Sequence, residues 1–209
     1  MNNSFGPINW SQVAQTKVFA YARVGDGAGY LDSAFLTNYA GIKGAGMKAG
    51  GYFYFEPAQD PIPQANHFVS QLVKAGLASG DLIPMFVVET SGGQTGQVIS
   101  ANLQTAADVV YNTLAVRPGI ATNPTIWDGQ FGLGGATTFA HDPLWDEIWT
   151  GTCPTVPTPW SDWALWQYSS TGTVSGITGT VDLDRSNSCY RPICLDTQRP
   201  DSVDGNTAK

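Results

Sequence analysis

Five acidic residues fall where apolar runs end. Asp26 follows residues 17–23 (KVFAYAR), Glu56 follows 50–55 (GGYFYF) and Glu89 closes 82–89 (LIPMFVVE). Asp128 follows Trp127, and Asp182 lies in a short late run at 181–183. Carboxyls gathered at one rim suit cleavage of a glycosidic bond. That reaction needs a carboxylic acid to protonate the leaving oxygen, and a second group to stabilise or attack the oxocarbenium-like centre. A carboxyl behind Met-Phe-Val-Val sits in a low dielectric that favours its protonated form, so Glu89 is the expected proton donor. Trp127, Trp145, Trp149, Trp160, Trp163 and Trp166 crowd the second half of the chain. One or two are expected to line a groove where apolar sugar faces rest, and the others to pack in the core.

The elements that must carry these groups alternate between two periods. Strands are expected at 17–23, 50–55 and 82–89, with shorter ones at 125–127, 144–149, 164–168 and 181–183. Between them, Asp32 is placed to cap a helix with Phe35, Tyr39 and Ile42 on its apolar face, ended by Gly44 and Gly46. Residues 62–75 bring Ala65, Phe68, Val69, Leu72 and Val73 to helical spacing, and 101–116 do the same with Leu103, Ala107, Val110 and Leu114. Strands alternating with crossover helices give parallel pairing, and the working face of such a sheet or barrel lies beyond the carboxyl ends of its strands. Helical patterns fade after Gly129, which predicts an irregular barrel over residues 1–187. Residues 188–209 are polar and aperiodic and read as a tail, docked through 191–195.

Bulk properties exclude several classes. The chain has 209 residues and a formal net charge of −7, with no Lys/Arg cluster, a balance that repels a phosphate backbone, so no nucleic-acid partner is expected. Charged residues make up 13%, about half the usual share, which favours an extracellular or virion-associated protein. The longest apolar run, 82–88, is too short to span a bilayer and contains Pro84, so no membrane partner is expected. The opening MNNSFGPINW has neither a basic nor an apolar leader region, so release by lysis, by a holin-like route or inside a particle is expected. Cys153, Cys189 and Cys194 are an odd set; either Cys189 and Cys194 close a small loop or all three are free thiols. His67 and His141 lie far from them, so no zinc spacing recurs.

Taken in order, these segments resemble the family 25 glycoside hydrolases, the Chalaropsis-type lysozymes. Phe5-Gly-Pro-Ile-Asn-Trp10 is similar to the end of the family's first motif. Tyr21-Ala-Arg-Val-Gly-Asp-Gly27 is similar to its strand ending in Lys-Ala-Thr-Glu-Gly, with Asp26 at the acidic position. Tyr30-Leu-Asp-Ser-Ala-Phe35 with Asn38 and Gly46, and Gly50-Gly-Tyr-Phe-Tyr-Phe-Glu-Pro57 with Gln64-Ala65, resemble the next helix and strand. Trp163-Ala-Leu-Trp-Gln-Tyr168, Gly176 and Val181-Asp-Leu183 resemble the closing segments. The resemblance implies an α/β fold, an irregular parallel (β/α) barrel, with its first strand missing or truncated. It implies catalytic roles for Glu89, Asp182 and Asp26, and a groove formed by Tyr52, Glu56, Trp127, Asp128 and Trp166. No metal or organic cofactor is expected, because the chemistry needs only carboxylates and water.

Two departures bear on activity. The family's first-strand Asp aligns just before Met1. Its Asp-x-Glu signature reads Val87-Val88-Glu89 here, so the Glu stays and the stabilising Asp becomes Val87. A missing charge at a developing cation costs about 3–4 kcal/mol, or hundreds-fold in rate. The reading is therefore a lysozyme-like domain directed at peptidoglycan glycan, with catalysis weak or lost. The alternative is a non-catalytic glycan-binding or structural component of a phage particle or extracellular assembly. An open barrel edge calls for a cover, either a partner chain, the tail or self-association.

Overall fold

A computed structural model describes residues 1–150 and 153–187. Its centre is one curled eight-stranded sheet. The strands are β1 (Phe19–Asp26), β2 (Tyr30–Leu31), β3 (Lys48–Tyr54), β4 (Met85–Val87), β5 (Gly119–Thr122), β6 (Leu144–Asp146), β7 (Leu165–Gly172) and β8 (Val181–Ser186). They lie in the order β2-β1-β3-β4-β5-β6-β7-β8. From β1 through β7 the main ladder is parallel; β2 and β8 are antiparallel additions at its two ends. The chain resembles a barrel that has not fully closed: among the described residues no ladder joins β1 to β8. In the gap, the Met1 amine donates to the Tyr21 carbonyl (2.8 Å) and the Arg23 amide donates to the Met1 carbonyl (2.6 Å). Flanking one partner residue in this way is the parallel-strand pattern.

The helices are α1 (Trp10–Val13), α2 (Phe35–Gly44), α3 (Pro61–Lys74) and α4 (Gly96–Leu114). Helix α3 starts where Asp60 accepts a hydrogen bond from the Ile62 amide and Pro61 occupies the first turn, where a missing N–H costs nothing. It buries Ala65, Phe68, Val69 and Leu72; Val73, expected on that stripe, is 59% exposed because it falls past the stripe's edge. Helix α4 begins at Gly96, earlier than expected, because the Thr95 hydroxyl caps the Val98 amide. Asp32 does not cap α2 itself. Its carboxylate takes the Ala34 amide and pairs with Arg23 at 3.0 Å, tying the helix entry to β1.

Period-2 alternation divides the core into two. Outward residues of the strands pack under the helices, where Phe53, Phe68 and Phe86 meet with ring centroids 5.1–6.3 Å apart. Each such ring is worth roughly 1.5–3 kcal/mol of burial. Inward residues fill the curl: Tyr21, Leu82, Met85, Val87, Ala121, Trp145 and Leu165. Gly50 makes room for the Tyr21 ring, whose hydroxyl donates to the Ile83 carbonyl at 2.9 Å.

One expectation about elements is corrected. Residues 125–127 are not a strand: Thr125–Gln130 is a π-helical turn, opened by the Asn123 side chain on the Ile126 amide. Burial of Trp127 against Phe139 (5.5 Å) and Trp160 (4.9 Å) holds that turn. The strand at this point in the order is β5, four residues between two prolines and too short to show a period. The expected tail at 188–209, its docking at 191–195, and Cys189 and Cys194 lie outside the described residues; Cys153 is an exposed free thiol.

Candidate active site

Register places the inward side chains in levels. Val87, Ala121 and Trp145 are ladder partners in β4, β5 and β6. Two residues further along β4 and β6, Glu89 and Glu147 therefore stand one level higher, at the carboxyl ends of the strands. The Glu147 amide continues the ladder by donating to the Thr122 carbonyl at 3.0 Å. On the antiparallel β8, Asp184 is level with Gln167 and Asp182 lies further toward the same rim. These residues, with Tyr52, Tyr54 and Trp149, surround a cavity of about 420 Å³ whose floor includes Val87 and Trp145.

The electrostatics follow from burial. Loss of water raises the Glu89 carboxyl above its ordinary range and the charge of Asp182 adds to this, while a hydrogen bond from Glu147 opposes it. Burial, the Glu89 charge and the hydrogen bond to Glu89 push Glu147 well above the usual carboxylate range. Asp184 is pushed up to about 7 by burial, although the Trp145 indole N–H donates to it at 2.9 Å. Asp182 is raised by burial, with the N-terminal ammonium pulling the other way. Burial also raises Tyr54, helped by the charges of Glu89 and Glu147. Burial thus raises the carboxyls of this cavity, the direction a general acid needs.

Not every residue singled out from sequence comes to this cavity. Glu89, Asp182 and Tyr52 line it. Asp26 and Glu56 form a separate pair at the ends of β1 and β3, where burial and then Asp26 raise the Glu56 carboxyl. Gln64 holds that strand end, accepting from the Glu56 amide (2.8 Å) and donating to its carbonyl (3.0 Å). Trp127 has no exposed surface, so no sugar reaches its face. Asp128 sits in the π-helical turn and accepts from the Thr158 amide at 3.1 Å. Trp166 is 6% exposed, donates to the Ile148 carbonyl (2.6 Å) and lies under Arg185, away from the cavity.

Sequence reasoning missed Glu147, Tyr54, Gln167 and Asp184, and did not single out Trp149 from the other tryptophans. A signal existed for Glu147: in Leu-Trp-Asp-Glu the alternation that turns Trp145 inward must also turn Glu147 inward. Trp149 is 64% exposed at the mouth, its indole N–H fixed on the Gln167 carbonyl oxygen at 2.8 Å. Val87, at the floor, is 3% exposed among Met85, Ala121, Trp145 and Leu165, with Tyr54 as its ladder partner on β3.

The family model described as "Glycosyl hydrolases family 25" matches residues 3–177. Lysozyme M1 of Streptomyces globisporus is 30% identical over 190 residues, covering 87% of this chain and 64% of that protein. The autolytic lysozyme of Clostridium acetobutylicum is 30% identical over 180 residues, covering 86% of this chain. The chain therefore spans 64% and 52% of the lengths of these two relatives. Among solved structures, the bacterial lysozyme from Streptomyces coelicolor superposes with a TM-score of 0.80 at 28% identity, covering 90% of this chain and 89% of that one.

Proposed function

The chain belongs to glycosyl hydrolases family 25, and from that premise we infer that it is a lysozyme-like domain acting slowly on the glycan of peptidoglycan, at the β-1,4 link after N-acetylmuramic acid. Glu89 protonates the leaving oxygen. Asp182 is the remaining carboxylate near the carbon that turns positive, where the substrate's own acetamido group attacks. The observation that carries this reading is the site of Glu89: a carboxyl at the rim of a cavity, raised above its ordinary range by partial burial and flanked by further acids. Tyr52 and Trp149 supply the apolar walls for sugar faces. Asp26 and Glu56, paired further along the rim, meet the glycan away from the reacting bond.

Val87 is what makes hydrolysis slow. It stands where the resemblance puts a stabilising Asp, and a Val there forfeits about 3–4 kcal/mol of transition-state stabilisation. Turbidity clearing of purified cell walls tests the reading. The wild-type protein clears slowly and Glu89→Gln does not clear; equal rates for the two remove Glu89 from the mechanism. The apolar surroundings of Val87 favour one second reading, a glycan-binding component without catalysis. Retention on walls with no clearing selects it. On either reading the protein works at the cell wall, from an extracellular or virion-associated position, and a partner chain or second copy covers the gap between β1 and β8.

A further inference from the structure

Glu147 has no counterpart among the roles above, yet it lines the same cavity as Glu89. It faces Glu89 across β5, on the same level of the curl. The β5 side offers nothing to separate them: Ala121, one level down, is small, and the Asn123 side chain is engaged with the Ile126 amide at 3.1 Å. Both side chains line the same cavity, near enough for each carboxyl to act on the other's titration. The other ionisable groups acting on the pair are Tyr54 from β3 and Asp182 and Asp184 from β8; β7 presents the neutral Gln167. All of these are neutral or negative; the cations on the same cavity, the Met1 ammonium and Lys17, act on Asp182 and Asp184 instead. A carboxylate at Glu147 would be a buried charge facing other acids, whereas a neutral carboxyl there has a proton to donate.

We propose that Glu147 is a positioning residue that stays protonated, donates its hydrogen bond to Glu89, and holds the Glu89 carboxylate once Glu89 has given its proton to the leaving oxygen. The inference rests on Glu89 being the acid. One proton moves, from the Glu89 carboxyl to the glycosidic oxygen as the bond to the anomeric carbon breaks; Glu147 keeps its own. A hydrogen bond to an anion is stronger than one to a neutral acceptor. The Glu147 contact therefore tightens as the proton departs and favours the transition state over the ground state. It also aims Glu89, since a carboxyl held from behind presents one oxygen to the cavity.

The chain contains only three glutamates, Glu56, Glu89 and Glu147, so carbon-13 at the glutamate carboxyl gives three resolvable signals. In the wild-type protein the Glu147 signal is expected to keep its protonated position through neutral pH, while Glu89 titrates in a separate, lower step. In Glu89→Gln the Glu147 step moves down, because the facing charge is gone. In Glu147→Leu, which has no donor, the Glu89 step moves up; in Glu147→Gln, which keeps a donor, it stays near the wild-type position. A Glu147 signal that titrates with Glu56, or a Glu89 step indifferent to the Leu substitution, overturns the proposal, and the wild-type titration decides this even if a variant fails to fold. Where walls are cleared, Glu147→Leu should clear about tenfold to a hundredfold more slowly and Glu147→Gln should recover much of the loss. The titrations need no substrate. The expected titrations without wall clearing reject the hydrolytic reading and leave the pair standing; clearing with the wrong titrations does the reverse.

Discussion

Placing a carboxylate at position 87 puts the proposal of slow catalysis at risk. Val87→Asp keeps the side chain's size but places an acid among Met85, Ala121, Trp145 and Leu165, at a position 3% exposed. The change forfeits roughly 1.5–3 kcal/mol of Val burial and leaves an acid short of partners, which costs about 1–3 kcal/mol more. A net destabilisation of about 4 kcal/mol is tolerable in a domain with roughly 5–15 kcal/mol to lose, and should lower Tm by about 10 °C. Against that, the introduced carboxyl stands one level below Glu89, roughly 7 Å along the strand, on the cavity floor. If a missing charge is what limits hydrolysis, wall clearing measured well below the new Tm should rise about a hundredfold. Val87→Asn is the control: it should be destabilised to a similar degree and gain nothing. Burial raises the introduced acid, so the gain should appear only at pH high enough to ionise it and low enough to keep Glu89 protonated. A folded Val87→Asp protein that clears no faster than wild type would refute the claim that position 87 sets the rate.

Other expectations follow from the same geometry. Asp146 is fully buried, neither carboxylate oxygen has a partner, and burial pushes it from 3.8 to about 7; Asp184 moves similarly. Their folded pKa values lie above the unfolded ones, so the folded chain holds extra protons between about pH 4 and 7, and these groups' contribution to stability is lost as pH rises through that window. Urea midpoints at about pH 5 and about pH 8 should show the fall, and Asp146→Asn should reduce it by raising the upper value. Trp149→Ala should leave stability within ~0.5 kcal/mol, because the ring is exposed, while lowering retention on purified walls about fivefold; unchanged retention would take Trp149 out of the groove. If a second copy covers the gap between β1 and β8, light scattering should report a dimer, and a proline at Phe19, whose amide points away from β3, should weaken it.

The sequence by itself determined the strand–helix alternation, acids at the ends of the early strands, the place of Glu89 behind an apolar strand, and the apolar residue at position 87. These are local facts: a period of two or 3.6, a cap, a residue type at the end of a run. Tertiary structure decided which acids share a cavity. Glu89 meets Glu147 and Asp182, while Asp26 and Glu56 pair elsewhere, because level across a sheet is set by register between strands distant in the chain. It also decided that Trp127 closes a turn instead of a groove, since only packing against Phe139 and Trp160 makes a π-helical turn there preferable to a strand. The four-residue β5 was illegible for the same reason: its conformation comes from ladders with β4 and β6, and nothing within four residues announces them.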